Sequence, residues 1–212
     1  MTDVGEIRDF VEREIVPRYD AFDAGHGRDH VLTVISQAMK LAEHYPKANR
    51  CILLIAAAYH DLGLVNGREH HHTDSARIVR EDLRLRQWFS DEEINTIADA
   101  AEDHRASSDR EPRTIYGRIV AEADRIIDGE TIVRRALQYG LKHEPGLDRE
   151  GQYCRLMEHM QEKYNYGGYL KLWIPESDNA RRLEEFRQLL ADEDAFRQLF
   201  DTIYDKLNFK TR

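Results

Sequence analysis

Apolar residues recur along most of the chain at the spacing of an α-helix. Val31, Val34, Ile35, Ala38, Leu41 and Ala42 share one helical face, and Ile115, Ile119, Val120, Ala123 and Ile127 share another. No series of alternating strands stands out, nor an internal repeat or low-complexity tract. The pattern predicts an all-α fold of about ten helices, over residues 3–17, 28–45, 49–61, 71–86, 91–104, 114–125, 128–142, 149–164, 179–191 and 193–208. Ser90 to Glu93 reads as a capping box. Gly63 is expected to end the third helix in a left-handed turn, and Asp178 to cap the ninth. The stretch 165–178, NYGGYLKLWIPESD, breaks the helical run. It reads as a connector packed by its aromatics, the alternative being a loop that brings Tyr166, Tyr169 and Trp173 to a surface or pocket.

The segment from Cys51 to Tyr59 is apolar on nearly every side. Such a helix is normally central, covered by its neighbours. It ends in His60 and Asp61, and charged groups are rarely buried unless paired or bound to a metal. Imidazole with carboxylate is a usual ligand pair for a divalent transition metal, but two ligands are too few. His30 lies near the start of an amphipathic helix, four residues before Val34, and Asp124 sits among Val120, Ala123 and Ile127. Both are therefore expected on buried faces. His71 opens a helix just before Ser75 and Ala76, and His104 closes the helix that follows Ser90. His26 is placed at the surface or at a pocket mouth, and His44, His143 and His159 at the surface. His70, His71 and His72 could also form a loose metal-binding tract.

The 212 residues carry 40 acids against 31 bases, a net charge of −9. That disfavours an extended nucleic-acid surface or an anionic membrane as partner, while a small anion held through a metal stays compatible with it. The longest apolar stretch has nine residues, too few to span a bilayer. There is no C-x-x-C pair, Cys51 reads as a core thiol, and the N-terminus lacks a signal pattern. A cytoplasmic protein is expected.

The order of these residues resembles the HD-domain superfamily of metal-dependent phosphohydrolases. AAAYHDLG around His60 and Asp61 matches its signature, GHGRDHV around His30 its first histidine segment, and VAEADRI around Asp124 its last aspartate segment. HHTDSA from His71 and EDHRAS around His104 resemble the further histidine segments of its binuclear branches. The resemblance implies an HD-type helical bundle, placed over about residues 1–150; residues 151–212, which match none of its motifs, are expected as additional C-terminal helices packed on the same domain. It implies one or two divalent ions, Mn, Fe, Co, Ni or Zn with Mg also admissible. The implied metal ligands are His30, His60, Asp61, His71, His104 and Asp124. Asp61, whose carboxylate has two oxygens, would bridge two ions, and Asp61 and His104 would be the catalytic groups. The implied partner is a small phosphorylated substrate, nucleotides among the candidates, hydrolysed by metal-activated water; a homo-oligomer is compatible. A di-iron oxygenase and a non-catalytic metal-stabilised sensor are the alternatives. Leu64 stands where some members carry a catalytic Glu, and no Lys follows the His-Asp pair, so the acid-base group is left open. Arg28, Arg105 and Arg125 could contact phosphate but read individually as surface charges. Asp128 could orient a ligand or cap the next helix.

Overall fold

The computed structural model describes residues 4–23, 25–108 and 110–209. Among these residues there are ten α-helices and no strand. One compact unit, Met1–Arg125 with Leu172–Ser177, contains α1 (Val4–Phe10), α2 (Arg28–Leu41), α3 (Arg50–Tyr59), α4 (His71–Glu81), α5 (Asp91–Glu102) and α6 (Ile115–Asp124). The other, Ile126–Lys171 with Asp178–Arg212, contains α7 (Gly129–His143), α8 (Arg149–Tyr164), α9 (Asn179–Ala191) and α10 (Glu193–Phe209). Residues 126–150, grouped by the sequence reading with the metal-binding segment, belong to this second unit.

Helix α3 is the centre of the first unit. It packs against α1, α2, α4, α5 and α6, and every side chain from Cys51 to Tyr59 is buried. Full burial of a Leu or Ile contributes about 1.5–3 kcal/mol, so this helix is a large part of what holds the unit together. Its amino end is closed by Asn49, whose side chain accepts from the Cys51 amide. The capping box at Ser90 and Glu93 forms on α5. Asp128 caps α7 by accepting from the Thr131 amide at 2.8 Å, which settles its role between the two expected.

The helices of the first unit end earlier than periodicity suggests. The first α-helix stops at Phe10 and continues as a wider turn over Val11–Ile15 and a tighter 3-10 turn over Val16–Ala21. Pro17, which has no N–H to give, sits at the start of that tighter turn. Helix α4 stops at Glu81 because Asp82 takes an extended conformation and its carboxylate accepts from the Arg84 amide. Asp178 does not cap α9: it already has helical backbone angles, and its side chain makes no capping bond.

Gly63 does not form the expected left-handed turn. The left-handed glycine is Gly67, at φ 101°, which closes a 3-10 turn over Leu62–Asn66. Gly63 is required for space instead. A Cβ there would run into the His71 carbonyl and lie 2.6 Å from the Ser75 nitrogen. This close approach lets the Gly63 amide donate to the Ser75 hydroxyl at 2.9 Å and sets the start of α4 beside the end of α3.

In the second unit Val133, Leu137, Leu156, Met160, Phe186 and Phe200 are buried. The irregular stretch after α8 turns at Gly167, φ 80°. Tyr166 and Tyr169 of this stretch are exposed. Trp173 and Ile174 instead pack into the core of the first unit.

Candidate metal centre

Every sequence-predicted ligand lies at or just beyond a helix end. His30 is in the first turn of α2, His60 and Asp61 follow α3, His71 opens α4, His104 follows α5 and Asp124 is the last residue of α6. Helix carboxyl ends leave carbonyls unpaired and carry partial negative charge, and three of those ends, from α3, α5 and α6, supply donors here.

The orphan carbonyls orient the imidazoles. His60 Nδ1 donates to the Ala57 carbonyl at 2.7 Å, and His104 Nδ1 to the Ala101 carbonyl at 2.6 Å. His71 Nδ1 donates to the Arg68 carbonyl at 2.7 Å. Each ring is thereby fixed in the tautomer that leaves the Nε2 lone pair for the interior.

Those lone pairs converge in two groups. His30, His60 and Asp124 each offer a donor atom within 4.8 Å of the others, and so do Asp61, His71 and His104. In the first, His30 Nε2 is 3.3 Å from His60 Nε2 and 3.1 Å from Asp124 Oδ1. In the second, His71 Nε2 is 3.2 Å from His104 Nε2. Asp61 faces both: its Oδ2 is 3.2 Å from His60 and 3.5 Å from His30, and its Oδ1 is 3.3 Å from His104 and 3.6 Å from His71.

Two imidazole lone pairs facing each other at that range repel unless a proton or cation lies between them. Metal–nitrogen bonds of about 2.1 Å put neighbouring donors about 3.0–3.4 Å apart in tetrahedral or octahedral shells, which matches the shorter spacings; His30 and His71 to Asp61, at 3.5 and 3.6 Å, and His60 to Asp124, at 3.8 Å, are wider. The donor set is therefore suited to a divalent transition metal in each group, with nitrogen and carboxylate ligands typical of Mn, Fe, Co, Ni or Zn.

A family model described as the HD domain matches residues 27–128. The matched segment is just under half of the chain. The crystal structure of a predicted HD superfamily hydrolase from an uncultured Thermotogales bacterium is similar to the chain at 21% identity and a TM-score of 0.49, over 74% of this chain and 89% of that one. No curated protein matches the chain. No helix among the described residues is long and apolar enough to cross a membrane.

Within this centre the charges are closely balanced. Burial alone would raise the pKa of Asp61, but His60, His104 and His30 hold it well below the usual carboxylate range. Asp124 is likewise held down against burial, chiefly by His30. Burial works against a charged His30, yet its hydrogen bonds to Asp124 and Asp61 raise its pKa to about 9. His71 goes the other way, to about 4, through burial and the neighbouring His104. His60, Asp61 and His104 are almost wholly buried, whereas the Asp124 and His71 side chains are 23% and 17% exposed. Access from solvent is therefore on the Asp124 and His71 side.

Three residues of the first unit differ from the sequence expectation or escape it. Arg125 is buried rather than a surface charge: its guanidinium donates to the Ala121 carbonyl and, at 3.4 Å, to the carbonyl of His104. Tyr19 is wholly buried and repairs the end of α3. In an unbroken helix the Ala57 carbonyl would accept from the Asp61 amide; here that carbonyl serves His60. The Tyr19 hydroxyl donates to Ala58 O at 2.8 Å and accepts from the Asp61 amide at 3.3 Å. Glu122 is also fully buried. It accepts from the amides of Trp173 at 2.6 Å and Ile174 at 3.3 Å, and from the Ser177 hydroxyl. Arg28, by contrast, is exposed and bound by Asp20 through two hydrogen bonds at 2.9 and 2.5 Å, so a carboxylate already occupies its fork.

Proposed function

We infer that this chain is a metal-dependent phosphohydrolase acting on a small phosphate ester or phosphoanhydride. The observation that carries the reading is Asp61, whose two oxygens face two separate histidine-bearing donor groups. Divalent ions held there would supply Lewis acidity at a phosphoryl oxygen and lower the pKa of bound water towards neutrality.

The ligands proposed are His30, His60, Asp61 and Asp124 for one ion and Asp61, His71 and His104 for the other. The protein's own contribution is rigidity. The Nδ1 bonds of His60, His71 and His104 prevent ring rotation, and Tyr19 fixes the peptide that carries Asp61. Asp61 and His104 are the catalytic groups of the reading. Asp61 joins the donor groups, and His104 Nε2 can take a proton from an attacking water when the second group holds no ion. Substrate enters beside Asp124 and His71, the two partly exposed donors.

The test is phosphate or nucleotide release from a panel of monoesters, diesters and nucleoside triphosphates, with Mn, Co, Ni, Mg or Fe supplied and metal content measured. Turnover that disappears in Asp61→Asn is expected. Absence of turnover on every substrate with the metal shown to be bound would overturn the reading.

A further inference from the structure

Beyond the donors themselves, each group carries a second histidine beside an arginine, and the first of these, His26, also binds the Asp23 carboxylate through Nδ1 at 2.9 Å. His26 packs edge-on against His30 with ring centroids 5.8 Å apart, and an Arg68 guanidinium nitrogen lies 2.9 and 3.1 Å from the two ring nitrogens of His26. His72 packs edge-on against His71 at 5.6 Å, and Arg105 Nη1 lies 3.2 Å from His72 Nδ1. The two arginines also meet at one turn. Arg105 Nη1 donates to the Glu69 carbonyl at 2.5 Å, one residue along from Arg68, whose carbonyl in turn orients His71. That turn follows the left-handed Gly67, and residues 65–70 are exposed.

Arg105 is half-buried, and its hydrogen-bond partners are a carbonyl, a hydroxyl (Ser107, 2.9 Å) and an imidazole. None of the ion pairs found among the described residues includes it, whereas Arg28, Arg84 and Arg113 all meet carboxylates. A guanidinium is charged at any working pH. One fixed beside this centre by neutral acceptors is suited to an anion from outside, which its forked donors can grip in the bidentate manner typical of phosphate. The Glu69 carboxylate of the same turn is 87% exposed and lies 3.5 Å from His70.

We propose that Arg68 and Arg105 form an anion subsite beside the metal centre that takes a second phosphoryl group of the substrate. The inference rests on the phosphohydrolase reading and narrows it: the substrate is a phosphoanhydride or other diphosphate rather than a lone monoester. The donor groups would receive the phosphoryl group that is hydrolysed. The guanidiniums stand one imidazole further out, where an adjoining anionic group lies.

The experiment is calorimetric titration of the Mn-loaded protein with methylenediphosphonate and with methylphosphonate, neither of which is hydrolysed. The diphosphonate is expected to bind at least about ten-fold more tightly, since one charge-assisted hydrogen-bonded contact is of that order. Arg68→Gln and Arg105→Gln are each expected to weaken diphosphonate binding about ten-fold while leaving monophosphonate affinity and Mn content unchanged. Equal affinity for the two probes, binding of neither, or unchanged diphosphonate affinity in both variants would overturn the subsite. Should Arg105→Gln fail to fold, Arg68→Gln, at an exposed position, decides. The two readings fail differently. Loss of the subsite leaves monoester turnover in place, and loss of the hydrolase leaves the diphosphonate preference in place.

Discussion

An imidazole has two nitrogens, and at this centre they are used for different things. Nδ1 of His60, His71 and His104 binds a carbonyl three residues earlier, and Nε2 faces the interior. Of the six donors, His30, His60, Asp61 and Asp124 were readable in the sequence because each is a costly group on or at the end of an apolar face, and His71 and His104 through the motifs around them. Tyr19 was not readable, since a tyrosine among Ile15, Val16 and Phe22 looks like ordinary core. Its hydroxyl matters only because α3 has stopped at Tyr59 and left an amide and a carbonyl to satisfy. Tyr19→Phe should therefore cost about 1–3 kcal/mol of stability from the groups left unpaired. It should also weaken metal retention about ten-fold, read by competition with a chromogenic chelator. Unaltered retention would show that the Asp61 peptide is held without Tyr19. Glu122 escaped notice for a similar reason, since a glutamate between Ala121 and Ala123 carries no mark of the three donors it meets from residues 173–177.

At the scale of elements, the number and place of the ten helices followed from periodicity, and the capping box at Ser90 from four letters. The ends did not. Periodicity records which face is buried, not where hydrogen bonding changes register, so the wider turn after Phe10 and the tighter one at Leu83–Gln87 were invisible to it. Gly63 was noticed for the wrong property. Its role is the absence of a side chain where the end of α3 meets the start of α4. Gly63→Ala should push the His71 backbone away, with an overpacking cost of about 1–3 kcal/mol, and lower metal occupancy of the group formed by Asp61, His71 and His104 before that of the other. Metal counting on the purified variant, set beside its urea midpoint, would show this. Two full equivalents together with a wild-type midpoint would contradict it.

For the whole molecule, the all-α class was legible, whereas the grouping of α7 with the C-terminal helices was not, because nothing in the composition of 126–150 marks a boundary. The donor cluster also makes stability depend on pH. In metal-free protein, His30 keeps a proton up to about pH 9 because of Asp124 and Asp61, which outweigh its burial. An unfolded histidine releases its proton near 6.5. The folded pKa is the higher one, so this contribution is complete below about pH 6.5 and is lost as pH rises through about 9. The urea midpoint of chelator-treated protein should fall across that window, and His30→Gln should flatten the fall. A midpoint indifferent to pH there would mean His30 is neutral in the fold.

His60 and Asp61 are consecutive residues, and each faces the first donor group while Asp61 also faces the second. A single amide link thus ties both seats to the same stretch of backbone. Any backbone drift at that link is shared by the two at once, so neither can be retuned there without detuning its twin. On the two-ion reading proposed above, any divergence in cation preference falls to the four outlying side chains, His30 and Asp124 on one side and His71 and His104 on the other.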